Sequence, residues 1–281
     1  MRVLVTGAYG QLGRDVVDIF REKHEVLGFG RNELDITDPN HCQQMIQEYR
    51  PDVIIHCAAY TAVDLAESEE DQAYLVNAYG TRNVAVAAEK MGCKICYIST
   101  DYVFDGSSAN PYKEYDNTNP TSVYGKSKRA GENLIQTLSS KYFIVRTSWV
   151  YGQHGNNFVK TMLKISKERD KLSVVNDQIG SPTFTEDLAK FLLELVNSEK
   201  YGIYHASNSG SCSWYDFAKA IFEESNIAIT VQPCTTEDFP RPAPRPKNSV
   251  MDHLSIRADG FKDLRPWREA LTEFLQKYGD S

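Results

Sequence analysis

The sequence predicts an α/β protein built on a doubly wound parallel sheet, followed by a smaller domain of mixed structure. Through the first half of the 281-residue chain, short β-branched segments alternate with amphipathic segments. Strands that alternate with helices form parallel sheets with helices on both faces. After about Trp149 this alternation becomes irregular, which indicates a second unit.

The individual elements follow from local pattern. Short apolar runs typical of buried parallel strands are RVLVTG, EVLGFG, DVIIHCAA, KICYIST, YFIVRTS and, late in the chain, GIYHASN. Helical spacing of apolar residues is seen in LGRDVVDIFREK, PNHCQQMIQEY, QAYLVNAYGTRNVAVAAEKMG and SVYGKSKRAGENLIQTLS. Pro39 at one helix start and Gly92 just after another helix end are typical helix boundaries.

The second half contains three further predicted helices, in NNFVKTMLKISKER, FTEDLAKFLLELVNS and SWYDFAKAIFEES. The segment PRPAPRP, residues 240–246, is predicted to be an extended arm because its prolines lack the N–H donor that helices and central strands need. We expect the first domain to comprise residues 1–148 with about 180–208, and the second to comprise about 149–179 and 209–281.

Composition excludes several classes of protein. A net charge of -7 gives no electrostatic reason to expect nucleic acid or an anionic membrane as partner. No apolar run approaches the ~20 residues needed to span a bilayer. The first predicted strand begins directly after Met1, which leaves no room for a signal peptide. We therefore expect a cytoplasmic protein.

The cysteines and histidines do not show the sequence spacing that is typical of metal ligands. Among the six cysteines only Cys93 and Cys96 lie close together, and a spacing of three along a strand directs them to opposite faces. We expect reduced, mostly buried thiols. The six histidines have no ligand spacing with cysteines or carboxylates, so no metal site is assigned.

Three glycines predict a dinucleotide site. Gly7, Gly10 and Gly13 stand in VLVTGAYGQLGRDVV, between a predicted strand and a predicted helix. They permit a tight turn, close approach of the backbone to pyrophosphate, and close packing of helix on strand. Gln11 and Leu12 belong to the same turn, whose N–H groups would face the phosphates. The alternative is that these glycines serve only a turn; the surrounding alternation favours a Rossmann-type cofactor domain.

The second and third strands supply further cofactor contacts. Arg31 follows the second strand, where an acidic residue would hold the ribose of NAD and an arginine accepts the 2′-phosphate of NADP. Arg31 therefore favours NADPH as the cofactor, with NADH as the alternative. The competing interpretation of Arg31 is an ordinary surface arginine without a ligand. Asp35 and Ile36 are placed to meet the adenine. The third strand ends in the small residues Ala58 and Ala59, before Tyr60, so the backbone can lie against the cofactor.

A tyrosine and a lysine predict the chemistry. Tyr124 and Lys128 are four residues apart, on one face of a predicted helix. Hydride transfer to a ketone leaves an oxyanion that a tyrosine can protonate, and a nearby lysine ammonium is expected to lower the tyrosine pKa. Thr100 ends the fourth strand, at the edge where such sheets bind ligands, and would be a second donor. Asn77, a poor helix former, would contact the cofactor, support the Lys128 region or be a buried amide.

Taken together, several blocks resemble the dTDP-4-dehydrorhamnose reductase family of extended short-chain dehydrogenases. The blocks are TGAYGQLG, LDITD, AAYTAVD, STDYVFDG, YGKSK, RTSWVYG, NNFVKTML, DQIGSPT and PAPRPKNSVMD. The resemblance implies an NAD(P)-dependent oxidoreductase that reduces the C4 ketone of dTDP-4-dehydro-β-L-rhamnose with NADPH or NADH. It implies Tyr124 as the acid, Lys128 as its partner and Thr100 as the second donor.

The same resemblance implies how the dTDP-sugar is held. Asp101, Tyr102 and Trp149 would contact the deoxysugar, since an indole packs on C–H faces while its N–H donates. Core packing is the alternative for Trp149. Asn157 and the arm would cover the substrate, and Arg245 on the arm could clamp the diphosphate, with its neighbour Arg241 as the less favoured candidate.

The resemblance does not decide whether the protein binds a metal or forms a dimer. Some family members carry Mg²⁺ at a dimer interface, and Asp15 and Glu186 are candidate counterparts whose match is not established, so no Mg²⁺ is assigned. A homodimer is equally open.

Two other functions compete with reduction. A nucleotide-sugar 4-epimerase or dehydratase shares the fold, Tyr124 and Lys128 but holds NAD tightly. A dehydratase also requires a glutamate directly after the aspartate at position 101, and this chain has Tyr102 there. A non-catalytic, NADP-binding regulatory subunit is the third alternative, because fold alone does not prove turnover.

Overall fold

A parallel sheet of six strands forms the centre of the computed structural model, which describes residues 1–279. The last two residues of the predicted second domain lie outside this range. The strands are β1 Arg2–Thr6, β2 Glu25–Phe29, β3 Val53–His56, β4 Lys94–Thr100, β5 Tyr142–Thr147, β6 Val150–Tyr151, β7 Lys171–Val175, β8 Ile179–Gly180, β9 Thr183–Phe184, β10 Gly202–His205, β11 Cys212–Ser213 and β12 Thr230–Cys234.

The helices occupy the segments between these strands. They are α1 Gln11–Arg21, α2 Pro39–Tyr49, α3 Val63–Ala66, α4 Glu70–Tyr74, α5 Thr81–Met91, α6 Val123–Leu138, α7 Phe158–Ile165, α8 Thr185–Val196, α9 Trp214–Glu224, α10 Leu254–Ala258 and α11 Trp267–Gly279. A π-helical turn, Leu75–Gly80, joins α4 to α5, and a 3₁₀ turn, Asp101–Val103, follows β4. Within residues 1–279, no helix combines the length and apolarity that crossing a bilayer requires.

The sheet order β10-β5-β4-β3-β1-β2 confirms the predicted doubly wound fold. All five pairings are parallel. The chain leaves β1 toward β2 on one side and continues through β3 on the other, so the order reverses beside β1. Open α/β sheets bind ligands at the carboxyl ends of the strands flanking such a point.

Apolar side chains cover both faces of the sheet. Val3 and Val5 pack on one face with α1 and α8, whereas Leu4 packs on the other face with α2 and α5. Strands that are buried on both faces need apolar residues at every position. This is why β1, β3, β4 and β5 were recognisable as continuous apolar runs.

The predicted helix boundaries of α2 and α5 are confirmed. Asp38 caps α2 by accepting hydrogen bonds from the N–H groups of Asn40 and His41, and Pro39 is the first helical residue. Gly92 ends α5 with a φ of 66°. All six cysteines fall within the described residues and four of them are buried, in agreement with the expectation of mostly buried thiols.

A second core lies outside the sheet. Its buried aromatic members include Tyr151, Phe184, Phe217 and Phe274. Short two-stranded pairings, β7 with β12, β8 with β11 and β6 with β9, surround it. The sequence did not predict β7, β12 or α11, because these segments are partly exposed and mix polar with apolar residues. The predicted division into two domains stays a prediction; α10, placed in the second domain, packs its Ile256 into the first core.

Helix α6 is attached to the sheet through a buried ion pair. The Arg146 Nε and Nη2 atoms on β5 each lie 2.9 Å from a carboxylate oxygen of Glu132 on α6. Both side chains are almost completely buried. The hydroxyl of Ser99 on β4 donates to the same carboxylate at 2.6 Å. The sheet therefore holds α6 at its third turn.

We expect Arg146→Met to lower the free energy of unfolding by about 3–5 kcal/mol, because it leaves the Glu132 carboxylate buried without its main partner. Arg129→Met is the matched control: Arg129 also contacts Glu132, at 3.0 Å, but is partly exposed. Its removal should cost about 1 kcal/mol or less. Urea unfolding of both variants measures the difference, and equal losses would contradict the importance of the buried pair.

Candidate active site

The glycine turn has the close contacts that its sequence predicts. Gly7 adopts a φ of +65°, and a Cβ there would lie 2.7 Å from the amide nitrogen of Ala58. A Cβ on Gly13 would lie 2.2 Å from the Gly7 carbonyl oxygen. Gly10 precedes α1 without a side-chain cap. The first N–H groups of α1 are therefore free of side-chain acceptors and suited to an anion.

A cavity of about 1110 Å³ runs from this turn along the carboxyl edge of the sheet. This volume exceeds the roughly 300–1,000 Å³ usual for small-ligand sites. Sixteen of the residues predicted for cofactor or substrate line it: Gly7, Gly10, Gln11, Leu12, Gly13, Arg31, Asp35, Ile36, Ala58, Ala59, Tyr60, Thr100, Asp101, Tyr102, Tyr124 and Lys128. Trp149 also lines it. The fold thus brings together residues from six separate segments.

Asn77 lies behind the cavity wall instead of lining it. It is completely buried in the π-helical turn. Its Oδ1 accepts a hydrogen bond from the Tyr60 N–H at 2.8 Å, and its Nδ2 donates to the Ser127 hydroxyl at 2.9 Å. It joins the loop after β3 to α6. Of the three interpretations the sequence allowed, the support of the Lys128 region agrees with this geometry, and direct contact with a cofactor does not.

The start of α6 positions Tyr124. The Ser122 hydroxyl accepts from the Gly125 N–H, and the Glu67 carboxylate accepts from the Val123 N–H at 2.9 Å. Gly125 is required here because a Cβ would lie 2.2 Å from the Tyr102 carbonyl oxygen. This close approach brings the rings of Tyr102 and Tyr124 to 5.5 Å, edge to face.

Lys128 is held one turn further along α6. Its Nζ donates to the Ile98 carbonyl at 2.6 Å and lies 4.0 Å from the centre of the Tyr97 ring. Burial lowers the pKa of Lys128 to about 7, and the Glu132 carboxylate opposes that shift. The lysine is therefore a group whose charge changes near neutral pH.

The pKa of Tyr124 differs from the expectation. Burial raises it to about 12, the Thr100 hydroxyl lowers it in part, and the Asp101 charge adds to the rise. Lys128 was expected to lower this pKa and is not among the groups that shift it. The physical reason is that burial lowers the pKa of Lys128 below that of Tyr124, so the lysine has lost its charge before the phenol ionises. Tyr124 is consequently protonated throughout the neutral range, as a proton donor must be.

Thr100 and Asp101 lie beside the phenol. The Thr100 hydroxyl donates to Asp101 Oδ1 at 2.9 Å and accepts from the Tyr102 N–H at 3.2 Å. Asp101 is buried, and its Oδ2 has no hydrogen-bond partner among residues 1–279. Burial raises the pKa of Asp101 to about 6, against the effect of the nearby Ser249 and Thr100 hydroxyls.

A second cavity, of about 740 Å³, adjoins the first. Tyr102 and Trp149 line both cavities, so the two meet at these side chains. Trp149 has a φ of 47°, a left-handed conformation that a bulky residue adopts only where its surroundings impose it. Its ring stacks on Trp214 at 3.6 Å, and a Cβ on Gly180 would lie 2.5 Å from it.

Arg245 and Asn157 have different positions in this second unit. Arg245 lines the second cavity and makes an ion pair with Asp64 at 2.9 Å. Asn157 does not line either cavity: it caps α7, and its Nδ2 donates to the Gln11 side chain at 3.0 Å. Asn157 therefore connects the glycine turn to α7. We expected it to cover the substrate, and in the structure it instead supports the glycine turn.

The site also includes residues that the sequence analysis did not single out. Trp214 was assigned only to a helix, and its stacking on Trp149 has no signal in the sequence. Asp64 stood only within the block AAYTAVD, and no role was predicted for Glu67. In each case the partner is distant along the chain, so no local pattern could have revealed the contact.

The acidic residues considered for Mg²⁺ already have cationic or imidazole neighbours. Asp15 lies 3.6 Å from His154, and Glu186 makes ion pairs with Lys190 and Lys277. No group of three or more metal-ligating side chains occurs in the described part of the chain. The structure thus gives no support for a metal.

Comparison with known proteins identifies the family. The model described as the RmlD substrate binding domain matches residues 1–279. The chain is 46% identical to the spore coat polysaccharide biosynthesis protein SpsK of Bacillus subtilis, with 98% of this chain and 97% of that protein aligned. It is 45% identical to a dTDP-4-dehydrorhamnose reductase of Aggregatibacter actinomycetemcomitans, with 96% and 97% aligned.

Solved structures agree. The crystal structure of dTDP-4-dehydrorhamnose reductase from Bacillus anthracis in complex with NADP superposes with a TM-score of 0.97 at 50% identity, covering 98% of this chain and 99% of that one. The resemblance inferred from the sequence blocks is confirmed. With its Tyr-Lys pair, its glycine turn and this full-length similarity, the chain belongs to the dTDP-4-dehydrorhamnose reductase family, described by the RmlD substrate binding domain.

Proposed function

We propose that this protein reduces the C4 ketone of dTDP-4-dehydro-β-L-rhamnose to dTDP-L-rhamnose with NADPH. The observation that carries the proposal is the position of Tyr124. Its phenol lies in the sheet-edge cavity, and its ring is 5.5 Å from that of Tyr102, one of the two side chains that this cavity shares with the second one. A ligand bound in one cavity would meet a ligand bound in the other at that point. The named relatives support the same reaction.

The residues along the sheet edge fit a dinucleotide. Gly7 and Gly13 leave no room for a Cβ, and the N-terminus of α1 offers uncapped N–H groups for a pyrophosphate. Arg31 is exposed at the far end of the same cavity, where it would contact the 2′-phosphate. NADH is the alternative cofactor. When bound, the reduced nicotinamide supplies the hydride.

Tyr124 and Thr100 would hold the ketone oxygen between their hydroxyls. As hydride reaches C4, the C=O π electrons move to this oxygen and the Tyr124 phenol donates its proton, which yields the C4 alcohol. A pKa of about 12 keeps the phenol protonated until the alkoxide forms. Lys128 would hydrogen-bond the nicotinamide ribose and, when protonated, stabilise the phenolate.

The second cavity suits the remainder of the substrate. Its apolar walls, with the stacked Trp149 and Trp214, fit a nucleobase and the sugar faces. Asp101, which lines the sheet-edge cavity, would contact the deoxysugar. Arg245 would bind the diphosphate. We accordingly propose the sheet unit as the cofactor domain and the second core as the substrate domain; a cytoplasmic location and a homodimer stay predictions.

The proposed reaction should consume one equivalent of NADPH per molecule of an enzymatically prepared dTDP-4-keto-6-deoxysugar. The loss of the reduced-nicotinamide absorbance measures it, and the product alcohol can be identified by mass spectrometry. Conversion of the sugar without net loss of NADPH would instead indicate an epimerase or dehydratase. Binding of NADPH without conversion would indicate a regulatory subunit.

Tyr124→Phe should lower kcat by about 10²–10⁴-fold, because the general acid is lost while the ring remains. NADPH affinity, measured by fluorescence titration, should stay close to that of the wild type. Tyr115→Phe is the matched control, since Tyr115 is 69% exposed and lines neither cavity. A Tyr124→Phe protein with near wild-type kcat would remove this residue from the mechanism.

Arg31→Ala should weaken NADPH binding by roughly ten- to a hundredfold and leave NADH binding nearly unchanged. Only NADPH loses a charge-assisted contact, worth ~1.5–3 kcal/mol. Calorimetric titration of both cofactors measures the ratio. Arg21→Ala, at the far end of α1, controls for the loss of a positive charge. Equal weakening of both cofactors would show that Arg31 does not contact the 2′-phosphate.

Arg245→Ala should raise KM for the dTDP-sugar roughly ten- to a hundredfold without changing NADPH affinity. Arg241→Ala should have a smaller effect, because the Arg241 side chain is 51% exposed and that of Arg245 is 18% exposed. Steady-state kinetics at saturating NADPH compares the two. A larger effect at Arg241 would transfer the diphosphate contact to that residue.

A further inference from the structure

One carboxylate on the sheet unit holds the proline-rich arm, residues 240–246. Asp64, on the short helix α3, accepts a hydrogen bond from Arg245 Nη1 at 2.9 Å and from the Ala243 N–H at 3.3 Å, both on Oδ1. Its Oδ2 lies 3.9 Å from Arg241 Nη1. Three contacts to the arm thus converge on a side chain about 180 residues earlier in the sequence.

These contacts determine which edge of the Arg245 guanidinium is available. Nη1 lies 2.9 Å from Asp64 Oδ1 in an ion pair and donates to the Ala243 carbonyl at 2.9 Å, so this end of the guanidinium faces Asp64 and the arm. The Nε and Nη2 groups form the other edge, which is the edge that binds two oxygens side by side. Arg245 lines the second cavity with its guanidinium carbon 6.0 Å from the centre of the Tyr102 ring.

Asp64 is suited to this task by its partial burial. Its side chain is one-third exposed, and that of Arg245 is less exposed still. Burial opposes ionisation of Asp64, yet hydrogen bonds from Arg245 and the Ala243 N–H leave its pKa below the ordinary value. The carboxylate is therefore charged at neutral pH and bound to the arm by both charge and hydrogen bonds.

We propose that Asp64 is a positioning residue for substrate: it anchors the arm and orients Arg245 so that the free Nε–Nη2 edge faces the diphosphate of the nucleotide sugar. This inference rests on the proposed function. Since Asp64 occupies the opposite edge of the guanidinium, it does not compete with the diphosphate. Its removal should consequently weaken substrate binding, and only through Arg245.

The test is a double-mutant cycle on the full-length protein with dTDP as the binding probe. Asp64→Ala should raise the Kd for dTDP, measured by calorimetry, and KM for the dTDP-sugar, each about tenfold. The kcat value should stay within about twofold, and NADPH affinity should not change. In the Arg245→Ala background, adding Asp64→Ala should have no further effect on either constant.

Two further variants separate positioning from general damage. Asp64→Asn keeps an acceptor for the Arg245 and Ala243 N–H groups and should recover part of the lost affinity. Asp71→Ala removes an exposed carboxylate near the start of α4 and should bind dTDP like the wild type. If Asp64→Ala folds poorly, Asp64→Asn alone should still show a raised Kd for dTDP that disappears in the Arg245→Ala background.

Several results would overturn the inference. Additive effects of Asp64→Ala and Arg245→Ala would mean that Asp64 acts elsewhere, and a lowered Kd for dTDP in Asp64→Ala would mean that it competes with the diphosphate. Unchanged dTDP binding in Asp64→Ala, with a wild type that turns over the dTDP-sugar, rejects this inference alone. A wild type that does not turn over the dTDP-sugar rejects the proposed function instead.

Discussion

The buried ion pair between Glu132 and Arg146 is the constraint on which the site depends. It fixes α6 against β4 and β5 at the third turn, and the same helix carries Tyr124 and Lys128 on its first two turns. Because a helix is stiff over such a short length, anchoring one turn sets the position of the others. The distance of the phenol from Thr100 at the end of β4 is therefore determined by contacts beneath the site.

The same ion pair influences the chemistry as well as the geometry. The Glu132 charge partly offsets the burial that lowers the pKa of Lys128. Tyr124 experiences burial without a comparable cationic partner, which is why its pKa rises. Because the protein has a net charge of -7, the charge and orientation of a cationic side chain near the site depend on the groups immediately around it. Arg245 with Asp64 on the arm is a second example of this arrangement.

The sheet unit and the second core are joined by specific contacts around the cleft. Asn157 reaches from the start of α7 to Gln11 in the glycine turn. Trp149 lies between β5 and β6 and holds a left-handed backbone conformation while stacked on Trp214. Strain of this kind persists only where the surroundings impose it, and it is commonly found at ligand sites. The junction of the two cavities is consequently well defined.

The sequence by itself determined the sheet, the glycine turn and the Tyr124–Lys128 pair, because each depends on spacing within one strand, turn or helix. The close approach of Gly13 to Gly7, and the four-residue separation on α6, are local properties of the backbone. The short sequence blocks that resemble the reductase family, which extend over nearly the whole chain, likewise identified the family without the structure. Only the tertiary structure decided the roles of Asn77, Asp64 and Trp214, since their partners lie from about 17 to 180 residues away. It also decided the pKa of Tyr124, because burial is a property of the packed molecule and not of the helix that carries the residue.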